Sequence, residues 1–72
     1  MFDIVVLKQK IYMLMLEQNI SFYDLGKFLG YSEKDINNIL FGEVLILPSD
    51  LKRIADFLGV SVHQLLGQRK EE

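Results

Sequence analysis

The sequence predicts an all-α fold, one compact domain of five short helices, on three observations. Apolar residues recur at three- and four-residue steps along the chain, the spacing of helices that bury one face. Serines precede these stretches, two of them with an acid three residues further on. Glycines follow them. Serine starts and glycine stops are the ordinary punctuation of helices.

The first helix runs from Ile4 to Gln18, with Ile4, Leu7, Ile11, Leu14 and Met15 on an inward stripe. Val5, Val6, Tyr12, Met13 and Leu16 are apolar too, more than one stripe needs. A helix apolar all round is central to the core or covered on a second face by a partner. Ser21-Phe22-Tyr23-Asp24 reads as a capping box that opens the second helix, because Ser and acid each satisfy a backbone N–H. Leu25, Phe28 and Leu29 give its inward face, and Gly30 ends it in the left-handed conformation. Ser32-Glu33-Lys34-Asp35 repeats the box, Ile36, Ile39 and Leu40 form the buried stripe of the third helix, and Gly42 closes it. Glu43 to Pro48 is a loop. Ser49 is expected to cap the fourth helix, whose inward residues are Leu51, Ile54, Ala55 and Leu58 and whose stop is Gly59. Ser61 caps a last short helix with Val62, Leu65 and Leu66, ended by Gly67. Residues 1–67 read as a single domain and residues 68–72 as a frayed polar tail.

Composition excludes most chemistry. A chain of 72 residues without Cys has no disulfide and no thiolate metal site. Its one histidine, His63, has no second to build a zinc site or a relay with, and no nucleophile–base pair is visible. The expectation is a chain that is not an enzyme and needs no cofactor, metal or small-molecule substrate. No apolar run approaches the roughly 20 residues of a membrane span. Met1–Asp3 also lacks the basic start of a secretory signal, so the expected location is the cytoplasm.

Two helices joined by a short turn containing Gly suggest a helix-turn-helix, here over residues 21–42. Leu25-Gly26, Gly30, Ile36 and Ile39 together resemble the motif of the Cro/C1-type phage repressor family. Leu7-Lys8 is similar to that family's first-helix start, Ile20-Ser21 to its second and Pro48-Ser49 to its fourth. The run from Ile54 to Val62, followed by Leu65-Leu66, resembles its closing signature. The resemblance implies a five-helix Cro/C1-repressor-like domain in a bacterial host cell, with the third helix as the DNA reader.

The sequence departs from that pattern where DNA contact is expected. Members that bind DNA carry Gln after the Ser opening helix two, to grip a phosphate; here that residue is Phe22. The family's usual Ala stands as Gly26, read as a harmless exchange. The reading positions are Glu33, Lys34, Asp35, Asn37 and Asn38. Between Phe22 and Glu43, Lys27 and Lys34 face Asp24, Glu33, Asp35 and Glu43. The chain's net charge of −2 therefore lies on the segment that phosphate binding would want basic. Gly42 is then followed by Glu43-Val44-Leu45-Ile46-Leu47, an acid and four apolar residues in place of a polar turn.

Two readings follow. The favoured one is an antirepressor, resembling the small modulator-of-repression type of lactococcal phages. It would cover the basic helix-turn-helix domain of a repressor protein with Glu33, Asp35, Asn37, Asn38, Glu43, Val44, Leu45, Ile46 and Leu47, so blocking operator binding. The alternative is a sequence-specific DNA-binding repressor using Lys27, Lys34, Asn37 and Asn38, alone or in a joint complex.

Overall fold

The computed structural model describes residues 4–66; the predicted stop at Gly67 and the polar tail 68–72 lie outside them. Five helices follow in order: α1 Ile4–Glu17, α2 Phe22–Leu29, α3 Glu33–Phe41, α4 Pro48–Leu58 and α5 Val62–Leu65. The described residues are all-helical, as the periodicity predicts. Leu7, Ile11 and Met15 of α1 are almost fully buried against Leu25, Ile36, Ile54 and Leu65. α2 packs on α3 and α4, while α1 packs on α3 and α5. No helix among the described residues is long and apolar enough to cross a membrane.

The local signals act as read at most ends. Ser21 with Asp24, and Ser32 with Asp35, form complete capping boxes. A third, Ser61 with Gln64, opens α5. Gly30 and Gly59 take the left-handed conformation, with φ of 87° and 76°. α1 ends on a signal the sequence reading lacked: Asn19 is left-handed at φ 58°, and Ile20 N–H donates to the Met15 carbonyl at 2.8 Å. Asn is the residue after Gly that tolerates this conformation.

Three expectations need correction. Ile4, expected on the inward stripe, is exposed at the start of α1. Ser49 is not a cap: α4 begins at Pro48, with Leu47 in the N-cap position and no side-chain cap bond. Proline's missing N–H costs nothing in the first helical position, so the helix starts two residues earlier than a Ser49 cap would place it. Phe28 does not point inward. It is exposed and stacks on Phe57 with ring centroids 4.6 Å apart. Leu25, Gly26 and Leu29 are the buried face of α2.

Side chains from one helix secure the ends of others. Arg53 of α4 donates to the carbonyls of Phe28 at 2.9 Å and Leu29 at 3.4 Å, and its guanidinium lies 5.5 Å from the Phe28 ring centroid. A cation at a helix C-terminus also meets the negative end of its dipole. Gln18 donates to the Leu58 carbonyl at 2.7 Å. Lys8 Nζ donates to the carbonyls of Gly42 at 3.1 Å and Val44 at 2.9 Å, tying the post-α3 loop to α1. Phe22 joins Tyr12 and Phe41 in an aromatic trio, with centroid separations of 5.1 to 6.2 Å. The residue standing in place of a phosphate-gripping Gln thus pins α2 between α1 and α3.

Candidate functional site

The site is assembled from the turn before α3, α3 itself, the loop after it and the first turn of α4. Ser32 and Asp35 lock the start of α3. Lys8 holds the first carbonyls of the loop. Together these fix a cleft of about 540 Å³ lined by Tyr31, Asp35, Asn38, Ile39, Val44, Leu45, Leu47 and Asp50. Five of the predicted contact residues, Asp35, Asn38, Val44, Leu45 and Leu47, share this one concavity.

Val44 and Leu45 also line a second cleft, of about 510 Å³, against Ile4, Val5, Lys8 and Gln9 of α1, Leu40 and Phe41 at the end of α3, and Gly42 and Glu43 after it. They therefore form a ridge between two hollows. Leu45 is 77% exposed, Leu47 56% and Val44 47%, an unusual concentration of apolar surface on one short segment. Ile46 is different. It is half-buried and packs on the core, so it anchors the loop and does not belong to the contact surface.

The remaining predicted residues are distributed more widely. Glu33, Lys34 and Asn37 are exposed on α3 but outside the cleft, and Glu43 lines the second hollow. Lys27 is exposed on α2, its Nζ 5.9 Å from the Tyr23 ring centroid. The four acids of the motif divide in function. Asp24 and Asp35 are committed to capping boxes, whereas Glu33 and Glu43 are exposed and belong to no cap.

Tyr31 and Asp50 are the residues sequence reasoning missed. Asp50 is only 7% exposed and accepts a 2.6 Å hydrogen bond from the Tyr31 hydroxyl. An Asp in the first turn of a helix looks like a dipole partner, and nothing local reveals a phenol 19 residues away. This bond ties the turn between α2 and α3 to α4 within the lining of the cleft. It raises the Tyr31 pKa above its ordinary 10.0, chiefly through the hydrogen bond, with desolvation and the Asp50 charge adding and Arg53 opposing. The protonated phenol is the form the fold favours, so this stabilisation is present below pH 10 and is lost as pH rises through the raised value. A spectrophotometric titration of the phenols should show one ionising last, and Tyr31→Phe should remove that final step. An unchanged lag in the variant would assign it elsewhere.

Chemically, the surface offers apolar walls with carboxylates set among them, suited to side chains that combine an apolar stem with a cationic head. Among the described residues no group of three His, Cys, Asp or Glu could hold a metal ion. No family model, curated protein or solved structure matches the chain.

Proposed function

We propose that this chain is an antirepressor, a small phage-type helix-turn-helix regulator that covers the basic DNA-reading surface of a repressor in the cytoplasm of a bacterial host. The observation that carries this reading is the exposed Val44–Leu45 ridge, with Leu47, beside an acid-bearing α3. Phosphate-binding surfaces are basic and polar, and this one is acidic and apolar. Apolar anchors at the centre of an interface supply affinity, while acids around them speed encounter with a basic partner and set its register. Reading of bases by Lys27, Lys34, Asn37 and Asn38 has weaker support, since two lysines face four acids on the same segment.

Titration against generic duplex DNA at about 50 mM salt tests the choice, because low salt strengthens any phosphate-driven binding. The expected result is no binding, with complex formation instead on adding a basic helix-turn-helix repressor domain. Micromolar DNA binding with a steep salt slope would overturn the proposal. Reversal of the acids should be made at Glu33 and Glu43, because Asp35 is part of a cap and its loss would weaken the helix itself. Glu33→Lys with Glu43→Lys is expected to lower affinity for the repressor by about tenfold at low salt, with the gap closing as salt rises. A salt-independent loss would mean that the two acids do not face basic groups.

A further inference from the structure

We infer that the outer face of α1 is a self-association surface, pairing antiparallel with the same helix of a second copy. The inner face of α1 is fully used by Leu7, Ile11 and Met15. At about 3.6 residues per turn, Val5, Val6, Met13 and Leu16 fall on the opposite side. Their exposures are 57%, 45%, 54% and 54%. Val6, Gln9, Met13 and Leu16 recur at steps of three, four and three residues, the seam spacing of paired helices. A single polar residue, Gln9, interrupts the seam, the usual device for fixing register.

The charges at the edge of the stripe select the occupant. Lys10 and Glu17 are exposed beside Val6 and Met13, two turns apart on one side of the seam. In a parallel pair the two charged flanks lie on opposite sides of the seam, so neither Lys10 nor Glu17 meets an opposite charge. An antiparallel pair lays Val6 against the partner's Leu16 and turns each Lys10 toward the partner's Glu17. The face is thus complementary to its own copy under two-fold symmetry, the commonest arrangement of homodimers. No α1 residue lines the cleft between α3 and α4, but Gln9 of the seam and Val5 beside it line the second hollow with Val44 and Leu45. Pairing therefore borders that ridge, while the inference itself draws on none of the antirepressor reading.

One stripe on a 14-residue helix is small against the roughly 1,200 Å² of a stable interface. The dimer is accordingly weak, with a dissociation constant on the order of 100 µM. Sedimentation equilibrium from about 10 µM to about 1 mM should span the transition and show mass rising toward twice the monomer. Leu16→Glu, at an exposed position, should keep the helical circular dichroism and abolish the rise. Lys10→Glu should weaken association at least severalfold, and adding Glu17→Lys to it should restore it. Concentration-independent monomer, or a dimer indifferent to Leu16→Glu, would overturn the inference. A dimer lost in Leu16→Glu but not rescued by the double reversal would overturn the antiparallel pairing.

Discussion

Replacing Leu45 by Ser is expected to leave the fold unchanged and to weaken binding to a basic helix-turn-helix repressor domain by roughly 30-fold or more. The two halves of this expectation rest on the same number. At 77% exposure the side chain gives the isolated chain little burial to lose, so the change in stability stays within about 0.5 kcal/mol. In the proposed complex the same side chain crowns the ridge between two clefts, and full burial of a leucine contributes about 2 kcal/mol. Serine is the informative substitute because it removes apolar surface without altering charge. Its effect should therefore persist at high salt and fall on the dissociation rate, unlike reversal of Glu33 and Glu43, which acts on association. Surface plasmon resonance at two salt concentrations separates the two. An affinity unchanged by Leu45→Ser would remove the loop from the interface, while a loss of thermal stability would show that the loop serves the fold.

The helices were legible in the sequence because their signals are local. A capping box closes within four residues, so Ser21 with Asp24 and Ser32 with Asp35 can be read without knowing where any other helix lies. The same locality explains the errors. Whether Ser49 or Leu47 takes the N-cap position of α4 turns on a tolerance for the missing N–H of Pro48, not on cap strength. Phe28 has the right spacing for an inward residue, yet Arg53 and Phe57 from α4 hold it at the surface. Arg53 to Leu29, Tyr31 to Asp50 and Lys8 to Val44 depend on how helices cross, which no pattern of period 3.6 encodes.

The site was legible in composition and not in detail. An acid excess on the motif and an apolar run after Gly42 are visible as letters. The cap role of Asp35 is legible in the Ser32–Asp35 spacing, whereas its place in the lining of the cleft, and the absence of Glu33 from it, follow only from the fold. The loop reads as one block of four apolar residues, yet only Ile46 of the four packs on the core, and Val44, Leu45 and Leu47 stay exposed. Phe22 was noted for what it cannot do to a phosphate. Its part in the aromatic trio with Tyr12 and Phe41 required partners 10 and 19 positions away.

Gly26→Ala is the substitution expected to cost the fold most for a single methyl group, and it reverses the sequence-based reading of Ala as a harmless exchange. Helix propensity alone predicts a gain of about 1 kcal/mol, since Gly26 lies inside α2. Packing opposes it. A Cβ at this position would collide with the Tyr31 carbonyl oxygen and lie 3.3 Å from Ile36 Cγ1. The Gly26 carbonyl meanwhile accepts the N–H groups of both Gly30 and Tyr31 at 2.7 Å, which draws the turn back over the helix. The colliding atom is backbone and has no rotamer to change. Its retreat is resisted from both sides, by the Ser32–Asp35 box and by the bond from Tyr31 to Asp50. A collision with backbone puts the overpacking cost at the top of the usual 1–3 kcal/mol, about 3 kcal/mol, against the gain of about 1 kcal/mol from propensity. The expected net loss is about 2 kcal/mol, or roughly 10 °C in the melting temperature of so small a domain. Gly30→Ala supplies the comparison: no atom stands within 4 Å of its Cβ site, and its cost is the left-handed backbone alone, about 1 kcal/mol. Thermal melts of the two variants should rank Gly26→Ala below Gly30→Ala. The opposite order, or a stabilised Gly26→Ala, would mean that the turn can move away from α2 and that the close approach is not what selects glycine there.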